Sequence, residues 1–407
     1  MITSQTEVLV CGGGPAGFAA AVASVRLGVK ALLVERYGFL GGMATAGLVN
    51  PFMISKGVKI GGVFQEVIER LKKENACKEG ELFDQPHIIF DPEILKLVLF
   101  EMVEEAKVKL LLHSLITGAI VKGKEVKGII LENKSGQSQI LAKVIIDATG
   151  DGDVAALAGA SFEKSKLLQP MTLNFRVGGV EEERMPSRQE MDKLFREANL
   201  SIPREKLLWF ETVRKGEIHF NTTRISTEDL TQAEIEGRKQ VKELMEFLKS
   251  KVSGFEKAYL LSTGVQVGVR ESRRILGEYV LTEKDILEGR KFTDVIARGS
   301  YPIDIHEPKG KGVIWKPLRS AYDIPYRCLA PKSIDNLLVA GRSISVTHEA
   351  LSSVRVIPTC MALGEAAGVA AALAVKEKIS PRKVAVSEIQ KVLIGQGSDL
   401  GTPVKVV

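Results

Sequence analysis

Cysteine is scarce and unpaired. The four residues, Cys11, Cys77, Cys328 and Cys360, show no C-x-x-C spacing, which excludes a sequence-local redox dithiol, a zinc knuckle and a ferredoxin-type cluster. Reduced, mostly buried thiols in a cytoplasmic chain are expected instead. No Lys/Arg block stands out: 56 basic and 50 acidic residues are scattered to a net charge of +6, so nucleic acid is not an expected partner. Histidine is equally sparse, with 5 residues and no metal-ligand spacing. The longest small-apolar run, Ala366–Val375, falls short of the roughly twenty residues that span a bilayer. The residues ahead of the first strand lack the basic region and apolar core of a signal peptide, and no membrane association is expected.

What is present is an ordinary globular composition, 45% hydrophobic and 26% charged over 407 residues, long enough for two domains, perhaps interleaved. The chain opens on an apolar strand, Glu7–Cys11, followed by Gly12-Gly13-Gly14-Pro15-Ala16-Gly17. Glycines at the first, third and sixth positions, between a buried strand and a small-residue helix, describe a dinucleotide site. Gly12 permits the tight turn, Gly14 lets backbone approach a pyrophosphate, and Gly17 lets helix and strand pack closely. Pro15 suits the first helical turn, and the free N–H groups there favour phosphate. The second strand, Lys30–Glu35, ends in an acid about twenty residues on, where a ribose hydroxyl needs an acceptor. By itself the loop is compatible with NAD or FAD.

The rest of the chain reads as α/β: a Rossmann-like domain, discontinuous in sequence, with an inserted mixed α+β substrate domain. The expected boundaries are 1–166 for the first part, 167–326 for the substrate or cap domain, and 327–407 for the return. A helix near Val63–Asn75 and another from Asp91 (N-cap) and Pro92 show apolar stripes at helical spacing. Residues Lys109–Ala142 read as a β-meander, and Lys143–Ala148 as a strand buried on both faces. In the insert, strand-like stretches (Met171–Val177, Glu217–Thr223, Val265–Val269) alternate with two helices starting in capping boxes, Ser187 with Glu190 and Thr231 with Glu234. A buried strand, Asn336–Ala340, leads to Gly341-Arg342 and then to a helix over roughly Thr359–Lys376 crowded with small residues. Gly395-Gln396-Gly397 with Gly401 mimics a second nucleotide loop, but its spacing is wrong and a helix precedes it. One dinucleotide site is expected.

The segments ERYGFLGG (Glu35–Gly42), IDATGDGDVA (Ile146–Ala155), VRESRRILG (Val269–Gly277) and LVAGRSISVTHEALSSVRVIPTCMALGEAAG (Leu338–Gly368) resemble FAD-dependent oxidoreductases over nearly the whole chain. The resemblance is to soluble flavoproteins related to the FAD subunit of heterodisulfide reductase and, more distantly, to fumarate reductase and succinate dehydrogenase flavoproteins. It implies that Gly12, Gly14, Pro15, Ala16 and Gly17 cradle the pyrophosphate, with Glu35 on the ribose and Arg36 near adenine. Gly41, Gly42, Met43, Ala44 and Thr45 line the ribityl and flavin region, Ile116 contacts adenine, and Ala148, Thr149 and Gly150 pass the adenosine. Gly341 and Arg342, with Val356, Ile357, Pro358 and Thr359, meet the ribityl chain and the pyrimidine end, where a helix N-terminus stabilises reduced flavin. No histidine lies between Glu35 and His87, so the FAD is expected to be non-covalent.

Catalytic residues should supply a substrate anchor and one proton transfer. Arg270, Glu271, Ser272, Arg273 and Arg274 form either a carboxylate clamp or an ion-pair network with Glu271; strand-like alternation puts Arg270 and Arg274 on one face. In YPIDIH (Tyr301–His306), alternation sends Tyr301, Ile303 and Ile305 one way and Asp304 with His306 the other. That makes His306 an acid/base candidate whose basicity Asp304 raises. By resemblance, His348 and Arg355 rank first as residues beside the flavin. The expected function is hydride transfer between FAD and a small anionic organic substrate, with an external electron acceptor. Two alternatives are an electron-transfer flavoprotein serving a redox partner and an FAD-dependent hydratase or isomerase without net redox change.

Overall fold

The computed structural model describes residues 2–82 and 84–401. Its first part contains β1 (Ile2–Cys11), α1 (Pro15–Arg26), β2 (Ala31–Val34), α2 (Gly62–Lys73), α3 (Pro92–Glu105), β3 (Lys109–Leu111), β4 (Leu115–Lys122), β5 (Glu125–Asn133) and β6 (Gly136–Asp147). Next come β7 (Phe175–Gly178), α4 (Arg188–Glu197), β8 (Trp209–Glu211), β9 (Ile218–Phe220), α5 (Leu230–Lys251) and β10 (Tyr259–Thr263). A hairpin, β11 (Ile303–His306) and β12 (Val313–Lys316), precedes the return through β13 (Leu337–Val339), α6 (His348–Val354), α7 (Ile357–Glu377) and α8 (Val386–Gly395).

The main sheet has seven strands, ordered β3-β2-β1-β6-β5-β4, with β13 also paired to β6. Val8–Cys11 at its centre are fully buried, as a parallel strand covered on both faces requires. The expected meander is β4–β5–β6, antiparallel, whereas Lys109–Leu111 runs parallel to β2. The stretch Lys143–Ala148 is not a separate strand: it is the end of β6, which pairs antiparallel with β5 along its first half and parallel with β13 along its last residues. Register aligns Cys11 with both Val34 and Asp147, and Asp147 with Val339. Four strands therefore end together, and the loops that follow them converge outside their carboxyl ends, where ligands of parallel sheets bind.

The small residues of α7 serve a helix–helix contact. A Cβ on Gly364 would lie 2.0 Å from the Ala16 carbonyl oxygen, and one on Gly368 2.3 Å from that of Ala20, so α7 rests on α1 backbone to backbone. By length and apolar composition α7 could cross a membrane, contrary to the expectation from the shorter Ala366–Val375 run, but 89% of its most apolar window is buried in this fold.

A second core is built from Met171 to Val267 around the four-stranded sheet β8-β9-β7-β10 and the inner faces of α4 and α5. It is smaller than the expected insert. Residues between Ile275 and Tyr326, assigned by sequence to the substrate domain, pack instead into the main core through Ile275, Leu281, Ile296, Ile303 and Tyr322. Texture misled here because short strands look alike whichever core they join. The Ser187–Glu190 capping box is present on α4. On α5 the cap is Asp229, which accepts from Thr231 and Gln232 N–H, rather than Thr231. Val265–Val269 forms no strand beyond a bridge at Gly268.

Candidate active site

The cradle is assembled at the aligned strand ends. Gly12 has φ +99°, and a Cβ there would meet the Ala148 carbonyl oxygen at 2.5 Å; a Cβ on Gly17 would come within 1.7 Å of the Gly12 carbonyl oxygen. Both glycines are required by the protein's own packing. Gly14 differs, since its φ is −68° and a Cβ would find only the Gly42 Cα, at 3.8 Å. The open space beside it is where a phosphate fits. Gly14 caps α1 without any side-chain hydrogen bond, leaving the N-terminal N–H groups and dipole to an anion. Glu35 is buried at the end of β2 and accepts from Gly13 N–H (2.6 Å) and Tyr37 N–H (3.0 Å).

The third loop is folded by Asp147. Its buried carboxylate accepts from Thr149 N–H (3.1 Å), the Thr149 hydroxyl (2.7 Å) and Ala155 N–H (2.8 Å); burial nonetheless pushes its pKa up to about 6. From the fourth loop Arg342 donates to Asp151 (2.9 Å) and Ser272 (3.2 Å). Burial opposes ionisation of Asp151, but Arg342 holds it below the usual carboxylate range. Arg36 and Tyr37 both donate to Gln266 Oε1, from the inserted unit. Nothing in sequence marked Gln266.

These loops open on one cavity of about 1210 Å³. Of the expected cofactor residues, Gly12, Gly14, Pro15, Ala16, Glu35, Arg36, Gly42, Met43, Ala148, Thr149, Gly150, Gly341, Arg342, Val356 and Ile357 line it. Gly17, Gly41, Ala44, Thr45, Ile116, Pro358 and Thr359 do not. Gly41 N–H donates to the Gly13 carbonyl, and the buried Thr45 hydroxyl to that of Leu40 (2.6 Å). Ile116 packs against the main core from β4. Val356 caps α7 with no side-chain bond, so two helices present uncapped N-termini at this cavity. FAD fits this donor set: an open cradle for the diphosphate, a buried acid at the ribose position, and a second helix N-terminus to favour a reduced, anionic ring.

Beyond the cradle the same cavity is lined by Arg204, Arg270, Arg355, Asn221, Tyr301, Asp304 and His306. Arg270 donates to the Pro170 carbonyl (2.5 Å), the Thr172 hydroxyl (2.8 Å) and Asn221 Oδ1 (3.4 Å). Arg355 Nη2 donates to the Asp304 carbonyl (2.9 Å), while its buried Nη1 has no partner. Arg204 donates to the Asn221 carbonyl (2.6 Å). Desolvation pushes the pKa of all three guanidiniums down, Arg204 to about 10, and the mutual repulsion of Arg270, Arg355 and Arg204 pushes that of Arg270 further. Guanidiniums stay charged, so an anion bound among them relieves their repulsion. Asp304 answers only in part; burial opposes its charge, yet His306, Arg355 and Arg270 hold it well below the carboxylate range.

Several expectations for this region are corrected. His306 lies 3.6 Å from Asp304, but its basicity is lowered, not raised: burial, then Arg270, brings its pKa to about 3, outweighing Asp304. It is neutral at pH 7. Tyr301 precedes β11, and its phenol turns toward Asp304 (3.5 Å) into the cavity rather than away with Ile303. His348 and Arg274 are brought together elsewhere, around the fully buried Glu271 carboxylate. His348 Nδ1 is 2.9 Å from Glu271 Oε1, Arg274 Nη1 2.6 Å, and the Ser165 hydroxyl 2.7 Å. Neither residue lines the cavity. The shared-face reading of Arg270 and Arg274 fails because only Arg274–Ile275 of that segment is a strand. Arg204 and Asn221 were missed, as arginine and asparagine in loop surroundings carry no sequence signal. Among the described residues no group of His, Cys, Asp and Glu could hold a metal ion.

A family described as FAD dependent oxidoreductase matches residues 7–393. Dihydrolipoyl dehydrogenase of Haemophilus influenzae is 36% identical over 88 residues, a match covering 21% of this chain and 16% of that enzyme. Among solved structures, p-nitrophenol 4-monooxygenase of Pseudomonas putida DLL-E4 superposes with TM-score 0.52 at 12% identity, covering 97% of this chain and 84% of the other. A geranylgeranyl bacteriochlorophyll reductase-like protein of Thermoplasma acidophilum gives 0.50 at 14% identity, covering 98% and 85%. At such identities the likeness concerns the fold: α/β, with a Rossmann-like FAD domain.

Proposed function

Because the chain belongs to the FAD dependent oxidoreductase family, we propose that it moves a hydride between non-covalently bound FAD and an anionic organic substrate. One observation carries the reading: the cavity that holds the dinucleotide cradle is also lined by three mutually repelling guanidiniums, Arg204, Arg270 and Arg355, with the Asp304 carboxylate beside them. FAD, when bound, supplies the hydride acceptor or donor. Arg270 and the unpartnered Nη1 of Arg355 hold the substrate's anion and fix its orientation. Asp304 positions Arg355 and offsets part of the positive charge. His306, neutral at pH 7, takes the proton released when the substrate is oxidised; burial, the larger cause of its low pKa, remains when substrate binds, while an anion on Arg270 offsets the second cause, the Arg270 charge.

The test is anaerobic reduction of the yellow protein by a panel of hydroxy acids, unsaturated acids and amines. Arg270→Gln and Arg355→Gln should keep FAD and lose reduction by the acid that reduces wild type, at least about a hundredfold for loss of a charged contact. His348→Ala should retain it, since that ring packs on Glu271. Full activity in both arginine variants would overturn the assignment.

A further inference from the structure

Resting on that reading of the arginine cluster as an anion site, we infer that the substrate is an amphipathic acid: one anionic group attached to an extended apolar body, an alkyl chain or an aromatic ring. The cavity, about 1210 Å³, takes in the dinucleotide cradle and the arginine cluster, and beside that cluster apolar side chains join its lining along two walls. On the first, the β11–β12 hairpin pairs Asp304 with Trp315 and His306 with Val313. Directly opposed residues share a face, and all four line the cavity. Asp304 and His306 are nearly covered, whereas Trp315 and Val313 are each 41% exposed. A polar row, carrying the Asp304 charge, thus lies beside an uncovered apolar row.

The second wall adds apolar lining of its own, more covered than the first and next to charged Glu205 and Lys206. Asn221, which accepts from Arg270, donates its N–H to the Leu208 carbonyl (2.9 Å), and Leu208 and Phe210 continue the lining beyond it. A single exposed apolar side chain needs no explanation, but contiguous ones in a concave site mark a ligand surface. A compact polar acid would satisfy the guanidiniums and leave Trp315 and Val313 in water. An apolar body covers them.

The FAD-loaded full-length protein is titrated with acetate, butanoate, hexanoate, hexanamide and succinate, read by the flavin spectrum and by fluorescence of the Trp315 indole. Kd should fall about two- to fourfold per added methylene from acetate to hexanoate, the transfer gain of a partly to fully buried methylene. Trp315→Ser, or Val313→Ser should the first not fold, should flatten that series while leaving the acetate Kd unchanged. Arg355→Gln should weaken every acid by one common factor and keep the slope. A flat series with hexanoate still preferred to hexanamide, or succinate binding more tightly than hexanoate, overturns this inference alone. Hexanamide binding as tightly as hexanoate overturns the anion site beneath it.

Discussion

Glu365 should make this fold less stable as pH rises from about 4.5 to about 7. The side chain sits on α7, 2% exposed, with its two oxygens 3.3 and 3.2 Å from Val63 N–H in the first turn of α2. It substitutes for the side-chain cap that Gly61 cannot provide. Burial pushes its pKa from 4.5 to about 7; the Val63 N–H and the Arg26 charge pull the other way, and Glu66 adds repulsion. Between pH 4.5 and 7 the folded chain therefore holds a proton that the unfolded chain has released. The stabilisation is complete below the unfolded value and is lost as pH rises through the folded one, amounting at most to about 3 kcal/mol. Glu365→Gln keeps the shape and an acceptor for Val63 but cannot ionise. Urea denaturation of both proteins at fixed FAD, from pH 4.5 to 8, isolates the effect as a difference between the two curves, so other titrating groups cancel. The glutamine variant should gain about 2–3 kcal/mol on wild type across that range. A difference that stays constant with pH would refute the reasoning.

Gly364→Ala should destabilise the fold by about 1–3 kcal/mol or more in denaturant, because its Cβ would stand 2.0 Å from the Ala16 carbonyl oxygen and must push α7 off α1. Gly14→Ala, whose Cβ meets no protein atom nearer than 3.8 Å, should leave the apoprotein's stability within about 0.5 kcal/mol yet weaken FAD binding at least about tenfold by fluorescence titration. Arg176 and Glu217 form a nearly buried ion pair at 3.0 Å; Arg176→Met strands the carboxylate and should cost about 3 kcal/mol at pH 8. Burial already raises Glu217 against the pull of Arg176, so without Arg176 the loss should shrink as pH falls and the acid is neutralised.

The cradle was legible because its requirements are local. A tight turn at Gly12, a proline-led helix and an acid ending the next strand must occur at fixed offsets along the chain, and Asp91 announced α3 through the same kind of short-range bond, accepting from Glu93 and Ile94 N–H. The arginine-lined part of the cavity was only half legible. Arg270, Asp304, His306 and Arg355 could be singled out as residue types, but Arg270 and Arg274, four positions apart, go to different places: one to the cavity, one to Glu271.

By itself, the chain's order of residues determined the α/β class, the N-terminal nucleotide loop and the split of the nucleotide-binding domain, all consequences of hydrophobic periodicity and turn chemistry; FAD came through the family resemblance. Only tertiary structure decided which core Ile275 through Tyr326 would join, that α7's glycines serve α1, and that His306 is neutral. Burial and charge repulsion set that last property, and both depend on groups such as Arg204 and Arg270 that lie far from His306 in sequence and meet it only when the chain is folded.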